Sequence, residues 1–310
     1  MAPTPDDTGT AREIFDRRLL AQRRRRALQR GVEGADFLLA NAVEDLADRL
    51  LTVRRDFPVA LDLGGHTGRL ARALNANPRI GRVIRADLFT ADPRAPGCDL
   101  VVDDAYPPFA EASLDLVVSV LSLHLVNDLP GALIQIRRML KPDGLFLATL
   151  PGGDTLFELR DSLMRAELEV TGGAAPRVVP FADTRSLGAL LQRAGFALPV
   201  ANTDRVTVRY ADIFGLIRDL RAMGATNMLV ERARTPLAGA VIARAAEIYA
   251  AEHADPDGRL RATFDLVSLS GWAPHESQQK PMKPGTAKMN LADALKAFDA
   301  PDVDGKRKPD

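Results

Sequence analysis

Between Phe57 and Leu150 the chain alternates short, unbroken apolar runs with helical segments, and the first three runs each end on an acid: Asp62, Asp87 and the pair Asp103-Asp104. Apolar runs without polar alternation are covered on both faces. Alternating with helices, they make a parallel sheet flanked by helices. The predicted strands are Val59-Ala60-Leu61, Val83-Ile84, Leu100-Val101-Val102, Leu116-Val117-Val118 and Leu145 to Leu150. Ligands of such open sheets bind beyond the carboxyl ends of the strands, so three acids ending successive strands surround one crevice.

Asp62-Leu63-Gly64-Gly65-His66-Thr67-Gly68 joins the first strand to the helix opened by Leu70 to Leu74. A glycine-rich turn there bares backbone N–H groups and lets a ligand approach the main chain. Asp87 is placed to accept both hydrogen bonds of a ribose diol, and Asp104 to accept from an adenine amino group. A dinucleotide fingerprint, G-x-G-x-x-G, needs glycine at positions 63, 65 and 68, and Leu63 breaks it. A carboxylate just ahead of the turn repels a pyrophosphate. It suits the cationic amino and sulfonium groups of S-adenosylmethionine. That cofactor is expected on Asp62, Gly64, Gly65 and Gly68, on Asp87 with Leu88, and on Asp104 with Ala105.

Two helices precede this region, and in the second Leu39, Val43, Leu46 and Leu50 mark one buried face. Asp128 with Pro130 starts a helix whose stripe is Leu133, Ile136 and Leu140, stopped by Lys141-Pro142-Asp143-Gly144. Beyond Pro151, Leu156, Leu159, Leu163 and Val170 share a face, and Gly195 closes a helix carrying Leu187, Leu190 and Leu191. Phe196–Val200 and Val206–Tyr210 read as strands. Helices near Asp212–Met223 and Pro236–His253 then precede a last strand around Thr263–Leu269. The expected organisation is a disordered N-terminus, 1–10, a domain, 11–274, and a polar, disordered tail, 275–310. The domain divides into a helical extension, 11–56, a cofactor-binding core, 57–150, and a helical and C-terminal strand region, 151–274.

With 310 residues, 46% of them hydrophobic, the chain can bury one large core or one core plus a small lobe. Lys+Arg and Asp+Glu both number 41, which gives no pull toward nucleic acid. One cysteine, Cys98, leaves no internal disulfide or cysteine-rich zinc site and fits a reducing compartment. The longest charge-free apolar run, Leu116 to Val126, is too short to span a bilayer. The N-terminus mixes acids with arginines, lacks an apolar stretch, and reads as no secretory signal. Arg23-Arg24-Arg25-Arg26 reads as a solvated helix face, with an acidic partner or a membrane surface as the alternative. Membrane association is therefore peripheral at most.

His124, just past the fourth strand, is either a base or substrate-orienting group, or a polar bridge within its loop. Asp154 either caps a helix at Thr155 or touches substrate. His275 and Glu276 read as a surface latch. A mononuclear iron site needs two histidines and a carboxylate. His124 with Asp128 supplies one of each, and His66, His253 and His275 share no local spacing with them. No metal site is expected, and serine-nucleophile and P-loop signatures are absent.

The loop from Asp62 to Gly68 resembles the first motif of class I methyltransferases, D-x-G-x-G-x-G. Leu114–Ser119 (LDLVVS) and Leu140–Gly144 (LKPDG) look like later marks of the same superfamily. Within it the chain is similar to the assembly factor 5 family of respiratory complex I, a relative of the biotin-pathway malonyl-carrier-protein methyltransferase. The residues behind this are Phe15–Leu20 (FDRRLL), Ser122–Pro130 (SLHLVNDLP), Gly152–Arg160 (GGDTLFELR) and Gly271–Gln278 (GWAPHESQ). The resemblance implies an α/β fold with a seven-stranded, mostly parallel doubly wound sheet, an N-terminal helical extension and a helical lid near Asp212–His253. It also implies an S-adenosylmethionine-type site and a role in complex I assembly. The activity attributed to that family is hydroxylation of an arginine in a complex I subunit, while similar sequences are commonly labelled methyltransferases. A non-catalytic assembly chaperone and a methyltransferase of a small acid or an acyl carrier protein are the alternatives. The expected partner is a protein substrate, in the cytoplasm or, in a eukaryote, the mitochondrial matrix. One position departs from the motif: His66 replaces its second glycine, at the methionine end of the cofactor.

Overall fold

The computed structural model describes residues 13–89 and 100–279. The expectations for 1–10 and for most of 275–310, and Cys98, lie outside those residues. Two helices, α1 (Arg17–Arg30) and α2 (Phe37–Thr52), lead into β1 (Phe57–Leu63), α3 (Arg69–Ala76), β2 (Ile80–Asp87) and β3 (Leu100–Val101). Then follow β4 (Leu114–Val120), a short 3-10 turn (Leu123–Leu125), α4 (Leu129–Met139) and β5 (Leu140–Pro151). The chain ends in α5 (Phe157–Thr171), α6 (Thr184–Arg193), β6 (Ala197–Tyr210), α7 (Ile213–Ala222), α8 (Gly239–His253) and β7 (Leu260–Trp272).

The seven strands form one sheet in the order β3-β2-β1-β4-β5-β7-β6, and β7 alone runs antiparallel to its neighbours. The order reverses between β1 and β4, so the crevice beyond their carboxyl ends is the ligand position of a doubly wound sheet. One face buries Leu133, Ile136, Leu187 and Leu191 from α4 and α6 against Leu61, Val117 and Phe146. The other buries Val43, Leu46, Leu70 and Leu74 from α2 and α3 against Ala60, Leu116 and Val118. A third cluster joins α5, α7 and α8 to β6 and β7 through Leu159, Leu163, Ile213, Leu216, Tyr249 and Phe264.

Four elements differ from expectation for physical reasons. Phe196–Val200, from Ala197 on, and Val206–Tyr210 belong to one strand, β6, because pairing along β7 carries it through its polar middle at the sheet edge. Leu100–Val102 is not a buried run: β3 is two residues at the other edge, and Val101 is 61% exposed. Leu140 belongs to β5 and not to the helix stripe: α4 stops at Met139, just ahead of Lys141–Gly144, and Asp143 at φ 64 bends the strand there. Val170 lies at the end of α5, where the core has run out, and is exposed.

The segment before α1 is clamped. Asn127 Oδ1 accepts from the N–H of Ile14 (2.9 Å) and Phe15 (2.7 Å), and its amide donates to the Phe15 carbonyl (3.1 Å). Phe15 packs with Leu20, Leu125, Met228 and Leu229, and Asp16 caps α1 by accepting from Leu19 N–H at 2.9 Å. Asn127→Ala removes all three bonds. It is expected to cost about 2 kcal/mol at roughly 1 kcal/mol or less per bond in urea unfolding, and to speed tryptic cleavage around Arg17 and Arg18. Unchanged cleavage and stability would show that the clamp does not hold α1.

Candidate functional site

β1, β2 and β3 deliver Asp62, Asp87 and Asp104 to the same end of the sheet, and all three are buried. The glycine loop is folded against β2: Gly64 and Gly65 N–H donate to the Ala86 carbonyl at 2.8 and 3.0 Å. Gly64 sits at φ 83 and Gly68 at φ 72, conformations that favour glycine. A side chain at Gly64 would collide with Ser122, and one at Gly65 or Gly68 with Arg85. Asp87 locks the turn, accepting from His66 N–H (2.7 Å) on one oxygen and from Leu88 N–H (2.6 Å) on the other. Asp104 accepts from the Ser122 hydroxyl at 2.8 Å, and Ala105 is buried beside it.

The electrostatics follow from burial. Asp62 Oδ2 has no hydrogen-bond partner. Its carboxyl is pushed up to about 7, chiefly by desolvation, with the Asp87 charge adding and Arg85 opposing. His66 and His124 are pushed down to about 3 by burial, with the Arg24 charge adding. Both imidazoles stay neutral near pH 7. His124 reaches the cavity wall, 6.1 Å from the Phe181 ring, but it lacks the near-neutral basicity that the base reading assumed. His66 occupies φ 35, strained for a residue with a side chain. His66 Nε2 and His124 Nδ1 are both buried without partners.

Two arginines enter the site that are not among its expected cofactor residues. Arg17 and Arg24, seven apart and so on one face of α1, reach over the strand ends. Arg17 donates to Asp103 (2.8 Å), to Asp104 and to the Leu125 carbonyl (3.0 Å). Arg24 donates to Ser122 Oγ (3.2 Å) and to the carbonyl of Leu121 (2.8 Å), which sits at φ 50. The run Arg23–Arg26 is thus not one solvated face, because successive helical residues point about 100° apart. Arg24 is buried, Arg23 donates to the Asn227 carbonyl, and Arg25 lies over the Phe89 ring. The available signal is the strings FDRRLL and SLHLVNDLP, which meet here through Phe15 with Asn127 and Arg17 with Leu125; Arg24 lies in neither.

Beside these residues opens a cavity of about 1470 Å³, walled by α1, α5, α7 and the segment from Arg221 to Leu237, with His66, His124 and Phe181 in its lining. Asp154 is not in the lining and caps no helix. Its carboxylate pairs with Arg205 at 2.7 Å, and α5 begins after Leu156 without a side-chain cap. His275 and Glu276 are exposed, and His275 bonds within its own turn to Ser277 Oγ at 2.7 Å. Among the described residues one group has metal-ligand spacing, Asp161, Glu252 and His253. Arg165 already donates to both carboxylates, at 3.2 Å and at 2.6 and 2.7 Å. No helix among the described residues is long and apolar enough to cross a membrane.

The glycine loop, the orphaned Asp62 oxygen and the locked Asp87 fit an adenosyl cofactor with a cationic amino-acid end. Asp104 is buried at the same strand ends, with Arg17 on one oxygen and the Ser122 hydroxyl on the other.

Comparison with known proteins agrees with this geometry. A family model described as a methyltransferase domain matches residues 24–199. Arginine-hydroxylase NDUFAF5, mitochondrial, of Rattus norvegicus is 37% identical over 304 residues, 96% of this chain and 88% of its own. Malonyl-[acyl-carrier protein] O-methyltransferase of Xylella fastidiosa (strain M23) is 33% identical over 277 residues, 86% of this chain and 88% of its own. Among solved structures the YcgJ protein of Bacillus subtilis has the same fold, with a TM-score of 0.52 and 13% identity over 76% of this chain and 99% of its own.

Proposed function

The chain belongs to the methyltransferase-domain family and, within it, to the family of the NDUFAF5 arginine-hydroxylases, and from that premise we propose that it binds S-adenosylmethionine and modifies a protein side chain during assembly of respiratory complex I. The observation that carries the reading is the meeting of Asp62, Asp87 and Asp104 around the glycine loop, next to a cavity large enough for a side chain and its flanking backbone. Bound there, the cofactor would supply a methyl sulfonium. Gly64, Gly65 and Gly68 leave room for its approach, Asp87 takes the ribose, and Asp62 faces the positive amino-acid end. Asp104 with Ala105, and Leu88, border the adenine. His124, neutral on the cavity wall, orients the acceptor. The acceptor is an arginine of a complex I subunit, in the mitochondrial matrix of a eukaryote or the cytoplasm of a bacterium.

A second reading has one observation behind it. Nine arginines and three acids line the cavity, which suits an acidic acceptor such as a malonyl-acyl carrier protein better than it suits a guanidinium.

Mass analysis of complex I subunits from cells with and without the chain separates these readings. A subunit peptide that loses one oxygen atom on deletion identifies hydroxylation, and one that loses a methylene identifies methylation. Identical subunit masses, with biotin synthesis failing on deletion, would select the carrier-protein reading. Identical masses with failed assembly would leave the chaperone.

A further inference from the structure

The cavity floor holds a charge without a counter-charge. Arg24 is 6% exposed, and its hydrogen bonds go to a hydroxyl and a carbonyl, with no described carboxylate paired to it. Asp87 stabilises its charge only from a distance, and the hydrogen bonds Asp87 accepts come from the N–H groups of His66 and Leu88, not from Arg24. Arg17, two turns away on the same helix, adds repulsion. A guanidinium is costly to bury unless an anion pairs with it. Leu121, held in a left-handed conformation, turns its carbonyl to Arg24 and fixes the group in place.

The surroundings point the same way. His66 and His124 line the cavity with Arg24, each with a buried ring nitrogen lacking a partner. Neutral imidazoles donate one hydrogen bond each and complement an anion without adding charge. At the mouth, Arg26, Arg30, Arg221 and Arg234 line the same cavity, and no described carboxylate pairs with them. They form a positive approach to the floor.

We propose that Arg24, with His66 and His124 beside it, is a carboxylate-binding subsite at the floor of the cavity. A carboxylate meets a guanidinium fork by two parallel hydrogen bonds. It comes from one of two sources, the amino-acid end of the cofactor or an acidic acceptor. The proposal rests on the cofactor reading only for the first source.

The test is calorimetric titration of the full chain and of Arg24→Met and Arg24→Lys. The probes are S-adenosylhomocysteine, 5′-methylthioadenosine, which lacks the amino-acid carboxylate, malonate and malonamide. If the carboxylate is the cofactor's, wild type prefers S-adenosylhomocysteine to methylthioadenosine by roughly tenfold or more, as loss of a charged hydrogen-bond pair predicts. Arg24→Met cuts that preference to the part Asp62 contributes through the amino group, while leaving methylthioadenosine binding within about twofold, and Arg24→Lys keeps more of it, as a point charge without the fork should. If the carboxylate is the acceptor's, the preference survives in Arg24→Met while malonate binding is lost. Should the methionine variant fail to fold, wild type binding malonate but not malonamide still supports the subsite, and equal binding of the two contradicts it. Wild-type affinities for S-adenosylhomocysteine and malonate both retained in Arg24→Met overturn the proposal. Absence of both nucleosides from wild type, with Arg24-dependent malonate binding intact, refutes the cofactor reading and leaves this one standing.

Discussion

Asp87→Ala is expected to abolish cofactor binding while the sheet stays folded. In the wild type, saturating S-adenosylhomocysteine should raise the thermal unfolding midpoint through mass action, and in the variant it should not. Two contributions add. The variant loses the acceptor for both ribose hydroxyls, each bond to a charged group being worth about 1.5–3 kcal/mol. It also frees His66 N–H and Leu88 N–H, which hold the loop at 2.7 and 2.6 Å. Together they predict a fall in affinity of about a hundredfold or more, taking about 1.4 kcal/mol per decade. A midpoint shift equal to that of wild type would contradict the assignment of Asp87.

Asp62→Asn should move stability and binding in opposite directions. The Asp62 carboxyl titrates at about 7 in the folded chain, well above the usual value of about 4. Its contribution to stability is fully present below about 4 and is lost as the pH rises through 7. Asparagine does not titrate. Above pH 7 the variant should exceed the unliganded wild type by roughly 2–4 kcal/mol, a gain that fades toward pH 4. His66 and His124 act with the other sign. Their folded values near 3 give stability that is present above about 6.5 and lost as the pH falls toward 3. Between about 4 and 6.5, two histidines outweigh one aspartate, so the wild type weakens on acidification and Asp62→Asn weakens more steeply. Urea unfolding at pH 5 and pH 8 reads both slopes. The variant should also bind S-adenosylmethionine more weakly, having lost the counter-charge to its amino group. A variant no more stable than wild type at pH 8 would mean that Asp62 is not strained by its burial.

The sheet was legible because its strands are continuous apolar runs and each of the first three reaches the crevice at an acid. That pattern brings Asp62, Asp87 and Asp104 to one end of the sheet, where the structure has them buried, and the glycines mark the loop beside them. The β6 edge was not legible. A strand paired on one side and exposed on the other can carry Asn202 to Arg205 in its middle, so no apolar run marks it. The inward turn of Arg17 and Arg24 was not legible for a different reason. In the sequence Arg24 belongs to the run Arg23–Arg26 and Arg17 to the separate pair Arg17-Arg18, and such arginines read as surface. Only the packing of α1, clamped through Asn127 and Phe15, turns two of those side chains inward. His66 was noticed as a departure from the motif. Its neutrality follows from burial and from Arg24, neither of which local sequence encodes.

The site's central claim is tested most directly by calorimetric titration of the purified wild-type chain with S-adenosylhomocysteine. Saturable binding of one equivalent in the micromolar range, about −8 kcal/mol, is the predicted result. A folded protein that takes up no S-adenosylhomocysteine at millimolar concentration would contradict it.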